Sequence, residues 1–146
     1  MKKFNKLSCL IIATVTVLIF TGCVKDLTKT VYNGVDLVEF ANPISKSVTT
    51  TAAVKPDSIL VQLVGKQRSI GTSVTYSINA SSTAVAGTDY TVVTPSPVMI
   101  DANKSSVWIK FNLNKVTAPK TLIVNLTGGY LVVPSENYKT FTYSLK

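Results

Sequence analysis

The sequence has no histidine, one arginine, one tryptophan and two cysteines among 146 residues. Without His, the side chain that most often serves as a general base or zinc ligand near neutral pH is missing. Ser-His and Cys-His nucleophile pairs go with it. Acidic residues are few, 7 against 15 Lys and Arg, and they stand singly along the chain. Nothing in the sequence marks the paired carboxylates that glycoside cleavage needs. No GxSxG, P-loop or metal motif occurs, so the chain reads as a non-enzyme without a cofactor. Its length excludes a multidomain enzyme and a polytopic transporter. The mostly apolar stretch Leu7 to Phe20 is 14 residues long, short of the roughly 20 that a spanning helix needs.

What is present begins with that stretch. It follows a basic head of Lys2, Lys3 and Lys6 and runs into Thr21, Gly22 and Cys23, the layout of a secretory signal peptide. Phe20-Thr21-Gly22-Cys23 resembles the bacterial lipobox. That resemblance implies a diacylglyceryl group on the Cys23 thiol, cleavage between Gly22 and Cys23, and further acylation of the new amine. Two or three acyl chains anchor a protein stably where one does not. Cys9, the other cysteine, lies inside the leader and is lost with it, so no disulfide partner for Cys23 remains. The expected organisation is a leader over 1–22, a lipidated tether over 23–36 and one domain over 37–146. A dozen tether residues reach at most about 40 Å, which keeps the domain near its membrane. Lys25-Asp26 resembles part of the tag that follows the cysteine in surface lipoproteins of Bacteroidetes. The expected location is the bacterial cell envelope, at the outer membrane with exposure at the cell surface.

Removal of the leader leaves 124 residues with 12 basic and 7 acidic side chains. The lysines are scattered, with no run of five and a single Arg68. Nucleic-acid binders carry clustered, often Arg-rich basic patches, so no nucleic-acid partner is expected.

From Val38 onward the chain alternates. Val74, Tyr76 and Ile78 form one apolar face, as do Val107, Ile109, Phe111 and Leu113. Leu122, Val124 and Leu126 form another, and Phe141, Tyr143 and Leu145 a fourth. A period of two marks half-buried strands. Ile59 to Val64 is apolar on both faces except at Gln62, which suits a central strand. The six prolines, Pro56 among them, and glycines such as Gly128 and Gly129 are expected at strand ends and turns. About seven strands with frequent turns predict an all-β, antiparallel sandwich of immunoglobulin type.

Ala86-Gly87-Thr88-Asp89-Tyr90 resembles the signature of Calx-beta domains. Val74–Ile78 before it, and Val98–Ile100, Asn103–Ser106, Val107–Leu113 and Thr121–Leu126 after it, resemble the strands and turn around that signature. The lipobox and the strand at Val38–Asn42 resemble small Bacteroidetes lipoproteins with a Calx-beta-like domain. Such domains are known for calcium, held by clustered acids in the loop between their last two long strands. Here that loop, Asn114-Lys115-Val116-Thr117-Ala118-Pro119-Lys120, has no carboxylate, whereas calcium takes six to eight oxygens. Calcium binding is therefore not expected, and Asp89 is read as fixing a turn by a hydrogen bond to backbone.

Two further positions stand out. Alternation turns Trp108 away from the Val107, Ile109 and Phe111 side, next to Lys110. There it either stacks on a ligand such as a sugar ring or is covered by a loop or a second core face. Asp57-Ser58-Ile59 resembles the short O-glycosylation pattern of Bacteroidetes envelope proteins, with Ser58 as acceptor. The expected function is a membrane-anchored, non-catalytic binding or scaffold module toward glycans or envelope proteins. The alternative is a structural or adhesive subunit that assembles through exposed edge strands.

Overall fold

Each alternating segment becomes a strand whose apolar side faces a partner sheet. The computed structural model describes residues 34–51 and 53–146; the leader, Cys23 and most of the tether lie outside them. The strands are β1 (Leu37–Phe40), β2 (Ser45–Val48), β3 (Val54–Val64), β4 (Thr72–Ile78) and β5 (Tyr90–Val92). They continue with β6 (Val98–Ile100), β7 (Ser106–Asn114), β8 (Lys120–Gly129), β9 (Val133–Pro134) and β10 (Thr140–Leu145). One sheet has the order β5-β7-β3-β1-β9 and the other β2-β10-β8-β4-β6. This is the expected two-sheet sandwich. The strand count exceeds seven because several edge pieces are only two to four residues long.

The inward faces are those that alternation marks. Ile59, Val61, Ile109, Phe111 and Leu113 of one sheet meet Val74, Leu122, Val124, Tyr143 and Leu145 of the other, all buried. Five aromatic rings thread this core edge to face. Phe40 meets Phe141 at 5.8 Å, Phe141 meets Tyr143 at 5.0 Å, Tyr143 meets Phe111 at 6.0 Å and Phe111 meets Tyr90 at 6.5 Å. Such pairs contribute about 0.5–1.5 kcal/mol each beyond their burial. The chain of rings joins both sheets across four strands.

Three expectations are corrected. Two pairings are parallel rather than antiparallel, β1 with β9 and β2 with β10. They arise because the chain leaves one sheet after Phe40 and joins the other at Ser45, and alternation carries no sign of strand direction. Pro56 lies inside β3, opposite Asn112, rather than at a strand end. It is tolerated because β1 covers only Val61–Val64 of β3, so the flank at Pro56 has no ladder for an N–H to join. Gly128 and Gly129 lie within β8, not in a turn, at a bulge where Thr75 faces Gly128 but Tyr76 faces Leu126. Gly128 takes a positive φ of 101° there.

Candidate binding site

The crossing from β1 to β2 opens the side of the sandwich. Ala41 donates its N–H to Leu60 O at 3.0 Å, the last bond of β1 to β3. Asn42 and Pro43 then carry the chain over, and β2 runs along β10. The gap left behind is a cleft of about 320 Å³ bordered by Asn42, Pro43, Lys46, Ser58, Leu60 and Trp108. Trp108 is 50% exposed. It stands on the outer side of its sheet, as alternation predicts, and shares the cleft with the Asn42-Pro43 connection.

Register assembles the rest of this face. Leu60 lies opposite Trp108, Ser58 opposite Lys110 and Pro56 opposite Asn112. Side chains two apart share a face, so Ser58, Trp108 and Lys110 form one outward group. The sequence marked these three for unrelated reasons; pairing of β3 with β7 brings them together. Lys110 and Ser58 also border a second hollow of about 260 Å³ that continues past Pro56 and Val93. Ser58 is half-buried between the two hollows.

The carboxylate beside the cleft is Asp57, which turns inward from β3. Its Oδ1 accepts Lys46 Nζ at 2.8 Å, the Ser58 N–H at 2.6 Å and the Tyr143 hydroxyl at 3.3 Å. Its side chain is 6% exposed. Burial pushes the Tyr143 phenol up, and the neighbouring Asp57 carboxylate adds to the shift. Three donors on one oxygen make Asp57 a structural anchor that positions Lys46 at the cleft. Lys46, Asp57 and Tyr143 as a linked group escaped the sequence reading, since the three positions are far apart in the chain and only sheet packing joins them.

The Ala86–Tyr90 signature is a turn that delivers Tyr90 to the core. Asp89 Oδ2 accepts the Val85 N–H at 2.8 Å, and the Asp89 N–H donates to Val85 O at 2.8 Å. Gly87 takes φ 79°, which disfavours a side chain, and its N–H donates to Tyr90 O. The turn-fixing part expected of Asp89 is therefore present. The loop between β7 and β8 is held by Thr50, whose Oγ1 accepts the Val116 N–H at 3.1 Å. Among the described residues, no three His, Cys, Asp or Glu side chains gather closely enough to share a metal ion.

The cleft thus offers an indole face, an ammonium, a hydroxyl and an amide around an apolar floor. Neither a family profile nor a curated protein matches the sequence. Solved structures do match in fold. An apo-form Calx CBD1 domain gives a TM-score of 0.60 at 15% identity, covering 77% of this chain and 96% of that one. A Calx CBD2 domain gives 0.53 at 12% identity, covering 75% and 85%. The calcium binding domain CBD12 of CALX1.1 gives 0.53 at 16% identity, covering 75% of this chain and 44% of that longer one. The chain has the fold of a Calx-beta domain, an immunoglobulin-like sandwich of two β-sheets.

Proposed function

We propose that this protein is a lipid-anchored module of the bacterial cell envelope, held at the outer membrane through Cys23 and displayed toward the cell surface, and that it binds a glycan through the Trp108 cleft. It performs no catalysis in this reading and uses no calcium. The observation that carries the binding part is the half-exposed indole of Trp108 beside a cleft rimmed by Lys46, Asn42 and Ser58. Aromatic faces bind sugar rings through their apolar side while polar neighbours take the hydroxyls. The anchor part is carried by the Phe20–Cys23 lipobox resemblance, which lies outside the described residues. Lys110, one rung along from Trp108, extends the same binding face. A glycan attached to Ser58 would fill the same cleft, so modification there and ligand binding would exclude one another.

Glycan-array binding tests the cleft. Trp108→Ala is expected to lower affinity about tenfold or more, the scale of a lost interface anchor, while leaving the melting temperature close to wild type. Intact binding together with a steep loss of stability would overturn the site. Metabolic palmitate labelling tests the anchor: label is expected on the wild-type chain and absent from Cys23→Ala, and label that survives the substitution removes the assignment. The alternative, assembly through edge strands, is disfavoured at β5, β9, β2 and β6, which are two to four residues long, but keeps the flank of β3 ahead of Val61, which β1 does not pair with.

A further inference from the structure

The described chain enters the sandwich at one end, and that end carries an unusual tip. Gly129 and Val132 bridge to each other, leaving Tyr130 and Leu131 at the apex between β8 and β9. Tyr130 is 70% exposed and Leu131 63%, and Leu131 holds a positive φ of 61°. Isolated exposed apolar residues are ordinary, but this pair is held outward by a dedicated tie. Arg68 Nη2 donates to Leu131 O at 2.7 Å and to Asp36 Oδ2 at 2.7 Å. Asp36 stands at the chain's entry, and its carbonyl accepts the Val133 N–H at 3.1 Å. The apex and the entry point are therefore one rigid unit.

The neighbouring connections add cations. Asn103 donates its N–H to Arg68 O at 2.8 Å, and Gln67 Nε2 donates to Asn103 O at 2.7 Å. These bonds place the exposed Lys66 and Lys104 at the same end, with the Arg68-paired Asp36 beside Lys66 and the exposed Asp101 beside Lys104.

We propose that this end is a membrane-contact surface, with Tyr130 and Leu131 entering the boundary between headgroups and acyl chains while Lys66 and Lys104 meet anionic headgroups. Tyr favours that boundary because its ring is apolar and its hydroxyl wet, and Lys near it gains from anionic lipid. The proposal rests on the Cys23 anchor reading for where the membrane lies. The tether from Cys23 joins the domain just ahead of β1, so the entry end is the end nearest the anchor along the chain. Anchoring would also raise the local concentration of the apex at the surface, which makes a two-residue contact sufficient.

The test supplies the anchor chemically, so that it does not depend on lipidation in cells. The chain starting at Cys23 is coupled through that thiol to a maleimide-headgroup lipid in vesicles of phosphatidylcholine and phosphatidylglycerol. In a Trp108→Phe background, Leu131→Trp reports on the apex and Val85→Trp on the exposed far end of the sandwich. Leu131→Trp is expected to shift to shorter wavelength on coupling and to be quenched about two-fold by brominated lipid, as for a side chain at the interface, with Val85→Trp unaffected. Tyr130→Trp repeats the measurement without altering the left-handed position. Equal quenching at both ends, no quenching at either apex position, or an apex signal already shifted before vesicles are added would each overturn the proposal. The last result would mean that another part of the chain covers the apex. Palmitate label absent from the wild-type chain, or surviving Cys23→Ala, with the apex result intact would remove the anchor reading alone.

Discussion

At the scale of single residues, two carboxylates organise this domain. Asp36 sits where the chain enters, with Arg68 Nε and Nη2 on its Oδ2 and the Lys66 N–H on its Oδ1. The Arg68 hydrogen bond, helped by the Lys66 N–H, holds the Asp36 carboxyl below its ordinary pKa of 3.8. A depressed folded-state pKa stabilises the fold above the unfolded value and loses that contribution as pH falls through the folded one. Asp36→Asn should therefore melt below wild type at pH 7, and the gap should close as both are taken below about pH 4. A gap that stays constant in acid would show that the charge is not what matters. A Cβ on Gly65 would lie 2.2 Å from Asp36 Oδ1, so close approach explains glycine there. The second carboxylate, Asp57, caps the core beneath Tyr143. Tyr143→Phe removes one hydrogen bond and should cost about 1 kcal/mol, whereas Asp57→Ala strands a buried hydroxyl and should cost about 2–3 kcal/mol. Because both act on one contact, the double variant measured by denaturant unfolding should lose less than the sum.

Among the elements, β8 shows how local rules yield to packing. A pair of glycines after an alternating run reads as a turn from sequence, since glycine usually punctuates strands. In the fold, Thr127 is the extra residue of a bulge, and Thr75 Oγ1 donates to Gly128 O at 2.8 Å. A Cβ on Gly129 would stand 1.9 Å from Ser73 O, so the two backbones meet where no side chain fits. Gly129→Ala should lower stability by about 2–3 kcal/mol, as overpacking does. A melting temperature unchanged within error would mean that the strands separate at no cost. The apolar faces of β4, β7, β8 and β10 were all legible, because a period of two needs only residue type and one buried side. Pro56 and Asp57 were not, because their tolerance depends on β1 stopping at Phe40 and on β2 arriving from the opposite sheet.

For the whole molecule, the division of labour follows the same physics. Composition and alternation set an all-β sandwich, since each apolar face must be buried against another. The absence of His and of paired acids set aside the common catalytic schemes at the sequence level. The lipobox resemblance and the leader pattern are properties of contiguous residues that lie outside the described ones, so the anchor is a proposal carried by sequence alone. Sequence also placed Trp108 on an outer face, because strand alternation fixes side-chain direction. Tertiary structure alone decided what surrounds it. The cleft exists because the chain changes sheets between Phe40 and Ser45, which leaves β3 uncovered and lets Asn42, Lys46 and Ser58 converge on the indole. The entry-end apex likewise depends on Arg68 reaching both Asp36 and Leu131, residues separated by most of the domain. Local pattern encodes which way a side chain points; only the path of the chain between sheets encodes what it meets.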